Sequence, residues 1–313
     1  MTIKVGANQY GKAEVRLVKV DRPAGYPSAD EAGQVHVLHD LNVTTQLRGD
    51  FDTAFTEGDN SHVHATDTQK NTVYAKAREW GITSVEEFLI GLSRYWAEQP
   101  YVDSTWFKAE EFAWSRIGEG TLGAGHSFAR TGTETRTCVV QTYGSGEQAE
   151  TFVVAGLSDL VVMKSTGSEF HGFPRDRYTA LGETDDRIMA TSVTAWWRFA
   201  DDAAGQDRDW NALYDGVKKV LLDTFADIHS LALQQTIYAM GAAVLEAFPE
   251  IVELRISCPN KHHFVVDLAP FGLENPGEVF YAADRCYGLI QTTVVDDDHA
   301  PQPRAWAGIP AFA

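Results

Sequence analysis

Between Ala65 and Trp96 the chain reads ATDTQKNTVYAKAREWGITSVEEFLIGLSRYW, two helix signals in succession. Thr66 stands where an N-cap belongs, with Gln69 as its capping-box partner, and the first helix is predicted to run to about Trp80 and stop at Gly81. Ser84-Val85-Glu86-Glu87 repeats the pattern and starts a second helix, with Phe88, Leu89, Leu92 and Trp96 on its apolar side. Strands flank the pair. Upstream, Val15 and Leu17 alternate with Glu14 and Arg16, and a slip at Leu17-Val18 predicts a bulge or a strand end there. Residues 34–48, with Val35, Val37, Leu41 and Val43, give a second strand, joined to the first by a loop from Pro23 to Gly33 rich in Pro, Gly, Ser and Asp. Downstream, β runs fall at about 101–116 and 126–144.

The same order returns in the second half. Strands are predicted at about 149–164 and 187–200, and helices from Asp209 and from Ser230 to Phe248, where Pro249 stops the second. Further strands follow at 250–257 and 263–269. Periodicity therefore gives an α+β chain with the order β-β-α-α-β-β twice, divided into modules at 1–148 and 149–313. Beyond Pro270 the chain is rich in Asp, Pro and Gly and is expected to wrap the surface or a neighbouring subunit.

Composition narrows the function classes. The 313 residues, 44% of them apolar, suffice for two cores. A net charge of −18 argues against nucleic acid or an anionic membrane as a partner, and it obliges an anionic ligand to find a local positive pocket. Three separated cysteines suggest neither a disulfide framework nor a thiolate metal cluster, which fits a reducing cytoplasm. The N-terminus lacks an apolar signal core, and the final residues are not the Ser-Lys-Leu peroxisomal address, so a cytoplasmic enzyme is expected. His62 and His64 have same-face spacing but no third ligand nearby. His262 and His263 would point to opposite faces of a strand, so no metal site is expected.

Leu160 to Arg187, LVVMKSTGSEFHGFPRDRYTALGETDDR, leaves an apolar strand for an irregular polar loop. Its Phe170, hydroxyls and Arg187 suit a flat anion, since Arg donates in a bidentate plane and Phe offers a stacking face. Phe170 and Phe173 suit minor core anchors equally well, and Arg187 a surface ion pair. The spacing Lys164-Ser165-Thr166-x-Ser168-x-Phe170, then Phe173, Tyr178, Leu181 and Arg187, resembles the signature of the urate oxidase (uricase) family. The resemblance extends from about residue 10 to about residue 290. It includes Tyr10-Gly11-Lys12, the run Asp59-Asn60-Ser61 to Lys70-Asn71-Thr72, the helix start Leu233-Gln234-Gln235, and Cys258-Pro259-Asn260-Lys261-His262.

The resemblance implies two tandem T-fold (tunnelling fold) modules, each an antiparallel sheet under two helices, with sheets closing into barrels in a homotetramer. It implies that urate, dioxygen and water become 5-hydroxyisourate and hydrogen peroxide without a cofactor, in purine catabolism. It makes Lys12, Thr66 and His262 catalytic. Thr66, Asp67, Phe170, Arg187, Leu233, Gln234 and Asn260 would contact the substrate, in sites shared across subunit interfaces. Taken by themselves, Lys12 is a strand-end lysine, Thr66 a helix cap and Gln234 an exposed helix residue. A metal-dependent hydrolase of the same fold and a non-catalytic purine binder are the rival readings.

Overall fold

The computed structural model describes residues 2–22, 35–118, 125–200, 203–283 and 285–310. The chain forms two compact units, Met1–Gly156 with Arg198–Asn211 and Pro301–Ile309, and Leu157–Trp197 with Ala212–Ala300 and Pro310–Ala313. Among the described residues no helix is long and apolar enough to cross a membrane.

In the first unit β1 (Tyr10–Asp21) pairs antiparallel with β2 (Val37–Gly49), which is followed by the short α1 (Asp52–Thr56), α2 (Thr66–Trp80) and α3 (Val85–Ala97). Next come β3 (Val102–Glu111), the small ladder of β4 (Trp114–Arg116) with β5 (Phe128–Arg130), β6 (Thr135–Tyr143) and β7 (Glu150–Lys164), the last of which passes from one unit into the other. The sheet order is β1-β2-β3-β6-β7. Strict alternation on β2 turns Leu41, Val43, Thr45 and Leu47 inward, all with no exposure. Helix α3, with Leu89 and Leu92 unexposed, packs on β3 and β6, while α2 packs on β1.

The helix pair lies where its sequence signals put it, and the caps differ in an instructive way. Ser84 does cap α3, its hydroxyl accepting from the Glu87 amide at 3.1 Å. Thr66 does not cap α2. Ala65 holds the cap position with an extended backbone and no side-chain bond, and Gln69 is turned inward with no exposure instead of reaching back. Glu86, in the first turn of α3, is buried against Arg136 of β6. All five N–H donors of that guanidinium find acceptors. Nε and Nη2 bond both oxygens of Glu86 at 3.1 and 2.5 Å. The remaining donors reach Glu111, Asn211 and the Trp210 carbonyl. Removing one partner from such a pair strands the other charge in an apolar surrounding. Glu86→Ala is expected to lower unfolding free energy by about 3 kcal/mol or more; a denaturation midpoint equal to that of the parent would refute it.

The second unit continues β7 with β8 (Met189–Phe199), then α4 (Trp210–Asp227), α5 (Leu233–Ala247), β9 (Ile251–Lys261), the hairpin of β10 (His263–Val265) and β11 (Phe280–Ala282), and β12 (Gly288–Val295). Its sheet order is β7-β8-β9-β12. Asp209 begins α4 as expected, its carboxylate accepting from the Asn211 amide. Val217 and Leu221 of α4, Ile237 and Val244 of α5, and Val193 and Leu254 of the sheet have no exposure and form the core. Helix α5 lies so close to β12 that a Cβ on Gly241 would stand 2.6 Å from Val294 Cγ2.

Three expectations are corrected. The fourth strand of the second sheet is β12, drawn from the supposed tail, and not 263–269, of which only three residues pair, in a separate hairpin. The bulge in β1 lies between Lys12 and Val15, not at Leu17-Val18. Residues 301–309 also belong to the packed structure, with Gln141 Nε2 donating to the Arg304 and Ala305 carbonyls. The predicted loop from Pro23 to Gly33 lies outside the described residues.

Candidate active site

The predicted site residues fall into two groups, one in each unit. In the first unit the glycine of Tyr10-Gly11-Lys12 has a steric reason: a Cβ there would lie 1.8 Å from the Thr45 carbonyl oxygen. Tyr10 fixes the approach to α2, its hydroxyl accepting from the His64 amide at 2.7 Å while its ring packs edge-on against Phe51. Lys12 lies just before the bulge. Thr66 is the first residue of α2, and because Ala65 supplies no capping side chain, the first-turn amides are left for an anion. The Asp67 carboxyl lies below its usual range, held first by Lys70, then by Asn71, with the charge of Lys12 adding to the effect. That carboxylate is committed to Lys70 and Asn71, at 2.5 and 2.9 Å, so what Asp67 can offer a ligand is its backbone amide.

In the second unit the signature loop is bolted to the start of α5. Ser168 and Ser230 form a bridge, with the Ser230 amide donating to the Gly167 carbonyl and the Glu169 amide to the Ser230 carbonyl, both at 2.9 Å. Both serines are fully buried, and Thr236 of α5 donates to the Ser230 hydroxyl at 2.8 Å. Asp186 closes the loop by accepting from Thr166 Oγ1 and the Gly167 amide. Phe170 stacks on Phe173 at 4.9 Å and 12°, and the Arg187 guanidinium carbon lies 5.0 Å from the Phe170 ring centroid.

Arg187 is half-buried and has no carboxylate partner among the described residues. Its recorded polar contact is a long bond from Nε to Ser168 Oγ at 3.4 Å, and burial lowers its pKa. Leu233 is buried and Gln234 exposed on the first turn of α5. Asn260, paired with Gly288, is the last residue but one of β9, and His262 follows Lys261, where the strand ends. Burial first, and then the charges of Arg187 and His263, depress the pKa of His262, so the Arg187 charge is felt at the imidazole.

A depressed imidazole pKa makes His262 a neutral proton acceptor near pH 7. It also means that the unfolded chain binds more protons than the folded one between the folded-state pKa and about pH 6.5. The stability contributed by His262 is complete above that value and is lost as pH falls through the folded-state pKa. By NMR, its titration midpoint is expected below the ordinary imidazole value and is expected to rise in Arg187→Gln. A midpoint unmoved by that substitution would show that the two groups do not interact.

Tyr178 and Leu181, both in the signature, are exposed and do not join the Phe170–Arg187 group. His62 and His64 are each engaged elsewhere: His62 stacks on Tyr101 at 3.7 Å, and His64 Nε2 contacts the Pro100 carbonyl. Among the described residues no group of three His, Cys, Asp or Glu is arranged to hold a metal. Sequence reasoning missed Asp186, Ser230 and Thr236. Only the position of Asp186 beside Arg187 and of Ser230 before α5 could have signalled them.

The uricase family model matches residues 8–141 and 153–291. The uricase of Arthrobacter globiformis is 52% identical over 311 residues, covering 99% of this chain and 96% of the relative. That of Dictyostelium discoideum is 35% identical over 291 residues, covering 92% and 96%. A crystal structure of the Arthrobacter globiformis uricase superposes with a TM-score of 0.88 at 51% identity, covering 98% of this chain and all of that one.

Proposed function

This chain belongs to the uricase family, and we infer from that premise and from its two residue groups how it oxidises urate. Urate, dioxygen and water are converted to 5-hydroxyisourate and hydrogen peroxide. The observation that carries the reading is Arg187, a half-buried cation with no carboxylate partner among the described residues, set 5.0 Å from an aromatic centroid on a loop held by buried hydrogen bonds. A planar anion supplies what that arrangement lacks, a bidentate acceptor for the guanidinium and a face for the ring.

In this reading Arg187 and Gln234 grip the purine edge, Leu233 shapes the wall and Phe170 stacks on the ring. The first-turn amides of α2, at Thr66 and Asp67, receive the anionic side of the substrate. Lys12 and Thr66 relay a proton, which leaves a urate dianion rich enough in electrons to reduce dioxygen. Asn260 holds dioxygen or water over the ring, and neutral His262 assists the proton transfer. No group beyond the substrate is needed to carry the electrons. The two groups belong to the modules 1–148 and 149–313, and we place their meeting across a subunit interface in a cytoplasmic homotetramer whose sheets close into barrels.

Oxygen uptake on adding urate to chelator-treated protein, with peroxide assayed alongside, tests the reaction. Uptake matched by peroxide and by loss of urate is expected. Activity that appears only with added metal would overturn the cofactor-free reading, and urate binding without uptake would leave a purine-binding protein.

A further inference from the structure

Thr45 occupies an inward position of β2 in line with Leu41, Val43 and Leu47, and it is the polar member of that unexposed run. It faces the β1 bulge. There the register passes from Lys12 opposite Thr45 to Val15 opposite Val43, so two residues of β1 oppose one of β2 and the backbone ladder is interrupted. Side chains of β2 take over the orphaned amides. Thr45 Oγ1 accepts from the Lys12 amide at 3.2 Å, and Thr44 Oγ1 from the Glu14 amide at 3.1 Å, with Glu14 at a positive φ of 54°.

The Thr45 hydroxyl in turn donates to Gln69 Oε1 at 2.8 Å, which orients its lone pairs toward Lys12. Gln69 lies on α2 one turn after Thr66, has no exposure, and leaves its Nε2 without a partner among the described residues. A glutamine at that depth costs stability that an apolar side chain would not. One short polar chain thus runs from the helix that carries Thr66 to the backbone of Lys12.

We propose that Thr45 and Gln69 are positioning residues for the reaction, the chain Gln69–Thr45–Lys12 setting where Lys12 stands relative to the first turn of α2. The proposal rests on the reading of Lys12 and Thr66 as a proton relay. Proton transfer between positioned groups is steep in distance, and a misplacement of about 1 Å can cost up to about 100-fold. Urate binding through the other module does not depend on the chain.

Thr45→Val keeps the shape of the side chain and removes the link. It is expected to lower kcat by about 10-fold or more with little change in KM, and to move the pH midpoint of kcat. Thr45→Ser restores both. In a Lys12→Met background, where the relay is already broken, Thr45→Val has no further effect. Gln69→Met acts in the same direction and carries the test should Thr45→Val fail to fold, with thermal unfolding recorded for every variant. Unchanged kcat and pH midpoint in the folded variants overturns the proposal, as does an equal loss with and without Lys12. Full activity in Lys12→Met alone overturns the relay reading itself, whatever the Thr45 variants do.

Discussion

Arg187→Gln is expected to lower kcat/KM for urate by about 1000-fold, mostly through KM, without lowering the melting temperature. Truncating one partner of a desolvated charge pair costs about 2–5 kcal/mol, and each factor of ten corresponds to about 1.4 kcal/mol. The free protein has little to lose. No carboxylate compensates the guanidinium among the described residues, and the neighbouring Asp186 is occupied by Thr166 Oγ1 and the Gly167 amide. Burial already lowers the Arg187 pKa, so holding the cation there is a cost to the fold. In the proposed substrate clamp the bound anion offsets that cost. Arg187→Lys should rescue poorly, because an ammonium is a compact, strongly hydrated charge that cannot present two parallel donors. Steady-state kinetics together with calorimetric unfolding of the three proteins settles the matter. A wild-type KM in Arg187→Gln would remove the substrate clamp, and a large fall in melting temperature would make Arg187 a structural residue.

The physical asymmetry behind that prediction also explains what the sequence made readable. Local signals reported faithfully on local structure. The Ser84 cap, the Asp209 helix start and the alternation of β2 are all decided within a few residues, and all lie where the pattern puts them. Signals that depend on a distant partner misled. Phe264-Val265-Val266 is a stronger strand sequence than Gly288–Val295, where Gln291-Thr292-Thr293 interrupts the apolar pattern. Yet β12 pairs with β9 along eight residues from Gly288 to Val295, while Phe264 and Val265 stay exposed on a short hairpin. An edge strand needs only its backbone to pair on one side, so its side chains carry little of the usual pattern. Thr66 misled for a different reason. A threonine at a helix start reads as a cap, but the backbone makes Ala65 the cap and leaves Thr66 inside the first turn, where a hydroxyl can serve a ligand.

The candidate site shows the same division. Lys12, Arg187 and His262, to which the proposed reaction assigns the chemistry, are singled out in the sequence by the motifs of the family resemblance. The groups that place them are not. Ser168 and Ser230 are ordinary residues until a bridge between positions 62 apart buries both, and Thr45 reads as one more polar residue in a strand until the bulge opposite it is known. Positioning is a tertiary property, and it is distributed over residues whose types are common.

Mixing inactive Thr66→Ala and Arg187→Ala subunits is expected to restore activity from near zero to about a quarter of that of the wild-type protein. The argument is one of symmetry. If each site takes Lys12 and Thr66 from one chain and Arg187, Gln234, Asn260 and His262 from another, a mixed pair holds one site with both substitutions and one with neither. Random exchange makes about half of the pairs mixed, and each contributes one intact site of two, hence about a quarter. If a site were built within one chain, every site in every mixture would carry a lesion and no exchange could restore it. The two substitutions suit the test because they lie in different units and touch neither core: Thr66 is a first-turn hydroxyl, and Arg187, beyond its contact with the Phe170 ring, has among the described residues just the long bond to Ser168. Mass spectrometry of the exchanged sample establishes that mixed assemblies are present, and the rate is read per mixed pair. Recovery would show that the two residue groups come together only between copies, so that assembly and catalysis are one event. Verified mixed tetramers without activity would place each site within a single chain and remove the reason for the homotetramer.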